Sequence, residues 1–301
     1  MNYRIGIDIG ATKINFVLLR KQRILKKKKI LTPGTKEEII EAIEENIRCL
    51  TWNVKQKEVE GIGIGIPGPL NEKGDLVLNP PNLKCLSNCP LAKIIEKDLK
   101  TRTLMDNDVN CFTLGEAVMG AGKEAKFIVG ITLGSGVGGG IVAKPGLVDE
   151  TRSRKHIYRG AFGSAAEVGH MTIKFDGLKC SCGGYGCFEE YCSERFFKRK
   201  GILPLKLEEK AEKSNKFALN LYNEYGRYLG IGLANIINLL DPEMIVIGGG
   251  ISVAYPFFIK SAKAEIKKRV ISPLSKQYVK IKRAKLGDLA GSVGAALLVK
   301  S

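Results

Sequence analysis

The amino-acid sequence predicts an α/β fold of two related lobes. Short strand-type segments open the chain, isoleucines at helical spacing follow them, and an early strand–glycine turn–strand pattern returns in the second half. With 301 residues, 44% of them hydrophobic, there is enough chain to bury a substantial core.

Residues 3–9 alternate isoleucine with glycine or polar residues. Ile14–Leu19 is a second apolar run and Ile24–Leu31 a third, so the chain begins as a β-meander. Lys36–Leu50 places Ile39, Ile40, Ile43 and Ile47 at helical intervals, and Val59–Ile66 returns to a strand ended by Pro67, Gly68 and Pro69. After a loop rich in Pro and Asn at Asn79–Asn82, a helix is expected over Leu91–Leu99, a short strand over Thr103–Met105 and a helix over Val109–Met119. Phe127–Leu133, a glycine turn and Gly140–Ala143 then echo residues 5–18. A long helical stretch from about Lys213 to Leu240, a buried strand Met244–Ile247 and a closing helix near Leu289–Val299 complete the pattern.

Composition narrows the function classes. No basic segment, long apolar stretch or cleavage site precedes the first strand, so no export signal is read and a cytoplasmic location is expected. The longest weakly polar run, Phe127–Ala143, is broken by six glycines and does not favour a membrane-spanning helix. A net charge of +17, from 48 Lys and Arg against 31 Asp and Glu, attracts polyanions. Yet Lys26–Lys29 fall at what reads as a hairpin turn, without the aromatic interleaving of nucleic-acid readers, so a solvated lysine-rich surface is expected. Eight cysteines without an export signal favour metal or thiol chemistry over a disulfide framework. Cys49, Cys85, Cys89, Cys111 and Cys192 are scattered and read mostly as small core residues.

Four constellations carry chemistry. In DIGATK, glycine permits a tight turn between strands. The exposed amides near Gly10, with Thr12 and Lys13, can hold phosphate oxygens, while Asp8 at the strand end can orient hydrated magnesium. An ordinary hairpin turn with a capping acid fits the same residues. In the run Gly134, Ser135, Gly136, Val137, Gly138, Gly139 and Gly140, a formal G-x-G-x-x-G continues into a strand where a dinucleotide fold needs a helix, and no Walker loop is present. Two glycine hairpins instead point to phosphates clasped from both sides. At a strand–helix junction stand Asp106, Asn107, Asp108 and Asn110: Asp108 suits a general base for a sugar hydroxyl and Asn107 a group that holds that hydroxyl, although an Asp just before a helix is also a common N-cap.

The fourth is the most specific. His170 with Cys180, Cys182 and Cys187 supplies four ligands, three of them in the string CSCGGYGCFEE, for a closed tetrahedral and therefore structural zinc site. Glu167 and Glu189 flank it, so the metal knot would bring together two carboxylates able to accept hydrogen bonds from sugar hydroxyls. On this reading the phosphate turns lie elsewhere, and loss of the cluster would leave nucleotide binding intact.

With these residues in place the chain resembles the ROK family, named for repressors, open reading frames and kinases, and within it the glucokinase-like branch. DIGATK is similar to the first phosphate motif, NDVN to the catalytic motif and TLGSGVGGGIV to the second phosphate motif. GAFGSAAEVGHM followed by CSCGGYGCFE is similar to the family signature, and DPEMIVIGGGI to its adenosine-side segment. The resemblance implies an α/β two-lobed fold of the actin, hexokinase and Hsp70 ATPase type, with ATP and Mg2+ in the interlobe cleft. It implies a small lobe over residues 1–108, joined by the returning helix 289–301, and a larger lobe over 109–288 with the Zn2+ site. It makes Asp108 the base. Asn82, Asn107, Asp108, Glu167, His170 and Glu189 become sugar ligands, His170 and the three cysteines zinc ligands, and Gly248, Gly249 and Gly250 neighbours of the nucleotide.

The implied activity is ATP-dependent phosphorylation of a hexose, glucose to glucose 6-phosphate first. Another sugar (N-acetylhexosamine, mannose or fructose), polyphosphate as donor, or a sugar-responsive regulator without catalysis are the alternatives. Repressors of the family carry a helix-turn-helix domain before the kinase-like part. Because Asp8 already belongs to the first phosphate motif, no DNA-binding domain is expected, and the protein is expected to be a homodimer or homotetramer. The sequence departs from the family pattern in a longer segment Lys144–Lys155, a shorter stretch after Ser193, and Lys84–Cys85 where relatives often place Gly-Trp.

Overall fold

The computed structural model describes residues 2–71, 73–80, 82–144, 155–202 and 204–299, so most of the segment Lys144–Lys155 lies outside the described residues. The chain divides into two compact units, residues 1–126 with 140–165 and 285–301, and residues 127–139 with 166–284.

The first sheet begins with β1 (Tyr3–Ile9), β2 (Lys13–Arg20) and β3 (Arg23–Leu31), followed by α1 (Lys36–Thr51), β4 (Val59–Ile66), α2 (Leu91–Leu99), β5 (Thr103–Asn107) and α3 (Asp108–Met119). Its strand order is β3-β2-β1-β4-β5, with the meander antiparallel and β1–β4 and β4–β5 parallel. Thr35 starts α1 through a reciprocal capping box with Glu38. The lysine run is not a hairpin turn: Lys26–Lys29 belong to β3, and the turn sits at Lys21, whose φ is 55°. As β3 is the edge of the sheet, its lysines also discourage pairing with another strand.

The second half supplies β6 (Phe127–Leu133), β7 (Val137–Ala143), β8 (His156–Ile157), α4 (Phe188–Cys192), α5 (Glu194–Lys198), α6 (Pro204–Glu212), α7 (Lys216–Leu240), β9 (Met244–Gly248), α8 (Tyr255–Arg269), α9 (Pro273–Tyr278), β10 (Lys280–Arg283) and α10 (Ala290–Leu298). The sheet order β10-β9-β6-β7-β8 repeats the first sheet strand for strand, which gives the echo read in the sequence a topological basis. The helix expected over about Lys213 to Leu240 is α7, which begins at Lys216. Ser214 takes a left-handed φ of 58°, and the Asn215 side chain caps α7 by accepting from the Ala218 amide at 3.1 Å.

β1 and β4 alternate isoleucine with small or polar residues, and the two faces of the sheet are covered differently. Ile5, Ile7, Ile9, Ile62, Ile64 and Ile66 pack in one core with Ile39 and Ile43 of α1 and Leu91 and Ile95 of α2. Full burial of such a side chain contributes roughly 1.5–3 kcal/mol. On the opposite face Gly6 and Gly63 admit α10 to backbone contact: a methyl on either would run into the main chain at Ser292 or Ala295. α3 crosses α10 where Gly115 and Gly294 meet, which places residues 109–126 in the first unit instead of in the later lobe expected to begin at Val109. Among the described residues no helix is long and apolar enough to cross a membrane.

Candidate functional site

In the first unit, Asp8 stands one residue before the end of β1, opposite Asn15 on β2 and Gly65 on β4. The turn that follows is closed by the Gly10 amide donating to the Lys13 carbonyl at 2.9 Å. Thr32, which sequence reasoning missed, braces it twice: its amide donates to the Thr12 carbonyl at 3.1 Å and its hydroxyl to the Gly10 carbonyl at 2.7 Å. Thr12 and Lys13 are exposed at the tip. Burial, and then the nearby Asp108 carboxylate, push the Asp8 carboxyl up to about 7, while a hydrogen bond from Asn15 works the other way. Gly291 of α10 lies against this carboxyl, leaving no room for a Cβ. The buried Oδ1 of Asn15 has no hydrogen-bond partner among the described residues. An acid in such surroundings favours a cation, which offsets both its desolvation and its repulsion from Asp108.

Asp108 is the first residue of α3, and the cap is its neighbour: the Asn107 side chain accepts from the amides of Val109 at 2.9 Å and Asn110 at 3.3 Å. The N-cap is therefore Asn107, while Asp108 Oδ1 also accepts from the Val109 amide at 2.9 Å. Behind them, buried Asp106 accepts from the Asn107 amide at 2.8 Å, Asn110 Nδ2 at 2.9 Å and Arg159 Nε at 2.9 Å. Arg159 stands 53 residues away in sequence and had not been read as part of this site. Asn82 is exposed on a turn closed by the Leu83 amide donating to the Pro80 carbonyl at 3.3 Å.

In the second unit the Gly134 amide donates to the Gly136 carbonyl at 3.0 Å, with Ser135 exposed at the tip and Gly138 half-buried in β7. The Glu194 amide donates to the Gly134 carbonyl at 2.8 Å, and the Val137 amide donates to Glu189 Oε2 at 3.0 Å. Gly136 is packed so closely on that carboxylate that a methyl there would collide with it. Gly249, with a φ of 83° that favours glycine, follows β9 and presses on the backbone of Leu133, so the segment Gly248–Gly250 adjoins the start of this turn. Glu167 is exposed at the centre of a tight turn in which the Val168 amide donates to the Ala166 carbonyl at 2.7 Å, and Ala166 itself holds a left-handed φ of 71°.

The ligand atoms of His170, Cys180, Cys182 and Cys187 all lie within 4.8 Å of one another. Cys180 Sγ is 3.8 Å from His170 Nδ1, and Cys182 Sγ is 3.7 Å from Cys187 Sγ. Sulfurs about 2.3 Å from a tetrahedral zinc ion stand roughly 3.8 Å apart, so the Cys182–Cys187 separation suits that ion and the donor set of the four residues fits it. Gly183 and Gly186, with φ of 95° and 68°, turn the chain between the ligands. Burial and the other two thiols push Cys187 up to about 12, while the Gly184 backbone and then the other two thiols hold Cys182 below the ordinary thiol range. Of the scattered cysteines, Cys89, Cys111 and Cys192 are buried as expected and Cys49 and Cys85 are exposed.

The cluster is not remote from the second turn. Arg195 Nη1 lies 3.1 Å from Glu189 Oε1, also pairs with buried Glu190, and reaches Ser181 Oγ, between two cysteine ligands, at 3.4 Å. The cysteine cluster and the β6–β7 turn, expected to lie apart, are thus joined through Ser181, Arg195 and Glu189.

A family profile described as ROK family matches residues 4–301. The chain is 30% identical to a glucokinase of Streptomyces coelicolor, covering 100% of this chain and 98% of that protein. It is 29% identical to the xylose repressor of Bacillus subtilis over 99% of this chain and 77% of the repressor. A crystal structure of a ROK family glucokinase from Streptomyces griseus, in complex with glucose and AMPPNP, matches with a TM-score of 0.81 at 31% identity, covering 99% of both chains.

Proposed function

The chain belongs to the ROK family, and from that premise we propose that it is an ATP-dependent hexose kinase that converts glucose to glucose 6-phosphate. The observation that carries the reading is the pair of carboxylates Asp8 and Asp108, at the ends of β1 and β5, close enough for one to raise the other. Two acids with distinct surroundings can divide the work: Asp8 favours a cation, and Asp108, with Asn107 capping the helix beside it, is placed to accept a proton.

In this reading Asn82, Asn107 and Asp108 of the first unit bind the acceptor, and Asp108 takes the proton of the 6-hydroxyl. The freed oxygen forms its bond to the γ-phosphorus as the bond to the bridging oxygen of ADP breaks. Mg2+, held near Asp8 when the nucleotide is bound, would neutralise phosphate charge. Gly10, Thr12 and Lys13 hold phosphate from the first unit. In the second unit Gly134, Ser135, Gly136 and Gly138 are the phosphate-binding residues, with Gly248, Gly249 and Gly250 toward the adenosine. Glu167 and Glu189 accept from the remaining sugar hydroxyls, and His170 donates to one from the ring nitrogen that does not face the cysteines. Zn2+ on His170, Cys180, Cys182 and Cys187 would have a structural role, all four positions being filled by protein.

Similarity to a glucokinase over nearly the full length of both chains supports the kinase. Similarity to a xylose repressor is the observation behind the second reading, a sugar-responsive regulator. A coupled assay over a panel of hexoses, with ATP and polyphosphate as donors, tests both. Glucose with ATP is expected to give the highest kcat/KM, and sugar binding without turnover on any donor would favour the regulator.

A further inference from the structure

We propose that Arg195 is a positioning residue for the second phosphate turn, acting through Glu189, and that this relay couples the sugar-facing carboxylate and the cysteine loop to the donor. The role of the turn rests on the kinase reading above; the relay itself rests on geometry alone. The β6–β7 turn is held at both ends by the α4–α5 junction: Gly134 by the Glu194 amide at 2.8 Å, and Val137 by Glu189 Oε2 at 3.0 Å. Glu189 commits one oxygen to that amide and turns the other toward Arg195 Nη1 at 3.1 Å. The absence of a Cβ at Gly136 is what lets the carboxylate approach.

Arg195 is itself fixed from three sides. Buried Glu190 accepts from it, Ser181 of the cysteine loop lies 3.4 Å from both terminal nitrogens, and Arg199 Nη1 takes the other oxygen of Glu190 at 2.9 Å. A planar guanidinium with several partners orients the carboxylate more firmly than an ammonium would. A sugar hydroxyl that donates to Glu189 uses the lone pairs left on a carboxylate already bonded to the phosphate turn. Acceptor and donor therefore share one hydrogen-bonded group, which makes binding of each sensitive to the other.

The test compares Arg195→Met and Arg195→Lys, each alone and in a Glu189→Ala background. Loss of a charge-assisted hydrogen bond predicts that Arg195→Met weakens a non-hydrolysable ATP analogue about tenfold, raises KM for ATP by the same factor and changes kcat less than about threefold. Zinc content should be unchanged, Arg195→Lys should recover part of the loss, and Arg195→Met should add less than about twofold once Glu189 is alanine. In the ligand-free protein, amide exchange at Val137 should quicken about tenfold in Arg195→Met. An unchanged Val137 exchange rate, or an equal loss of analogue affinity in the Glu189→Ala background, overturns the relay. A parent chain that binds no ATP analogue overturns the kinase reading instead, while Val137 exchange still judges the relay.

Discussion

The two glycine turns share a design and differ in where each keeps its acid. In both, the carbonyl of the first glycine is tied from outside, Gly10 by the Thr32 hydroxyl and Gly134 by the Glu194 amide. At the first turn the acid, Asp8, lies within the strand that leads in, half-buried and close to Asp108. At the second, Glu189 comes from 52 residues away and accepts an amide of the turn itself. A carboxylate that is short of partners draws in a cation, whereas one spent on an amide fixes a backbone. In the proposed kinase, therefore, the first turn governs charge and chemistry, and the second governs shape.

The largest expected effect tests the chemical side. Asp108→Asn keeps the shape of the site and removes the proton acceptor, so kcat should fall about 100- to 10,000-fold while sugar affinity changes much less. Near-normal turnover would break the comparison, because the first unit would then hold no base. The next tests the shape side. Cys182→Ser should lower metal affinity at least about 100-fold, read by elemental analysis, and loosen residues 167–190. Because Glu189 lies in that segment, separate titrations should show sugar and ATP analogue both weakened. Retention of full analogue affinity would mean that the second turn stands without the cluster.

A smaller effect is in pH. The Asp8 carboxyl sits near 7 when folded, above its ordinary range, so the folded chain binds a proton that the unfolded chain releases. The stability this group contributes is complete below the ordinary carboxylate range and is lost as pH rises through about 7. Thermal midpoints of the ligand-free protein should decline across that window relative to Asp8→Asn, and magnesium with nucleotide should reduce the decline; parallel curves would show that Asp8 titrates normally. The smallest effect sharpens the contrast: Thr32→Val removes one bond of about 1 kcal/mol, so analogue affinity should fall about fivefold. Val137 exchange should stay as it was, and a change there would deny the turns their separate supports.

Local chemistry was legible in the sequence and long-range chemistry was not. Strands of alternating isoleucine and the α2 segment read nearly to the residue, because one face of each is buried in a single core. Asp8, Asp108 and the cysteine cluster stood out by residue type and spacing. The exact start of α7 did not, since Lys213, Ser214 and Asn215 fit a polar helix face until the left-handed Ser214 and the Asn215 cap are seen, and α6 was not read. Nor did Arg159 on Asp106 or Glu189 on Val137, each pair more than fifty residues apart. No periodicity marks such partners; only the fold brings them together.

The glycine face of the first sheet also sets an order of events during synthesis. β1 and β4 are made within the first 66 residues, but the helix that lies on Gly6 and Gly63 is α10, residues 290–298. Until those residues have left the ribosome, one side of the sheet keeps its main chain open to water or to the wrong neighbour, while the isoleucine side can already close over α1 and α2. The nascent first unit thus waits, half-covered, through the making of the entire second one. Such a chain would lean on chaperones longest at its N-terminal end.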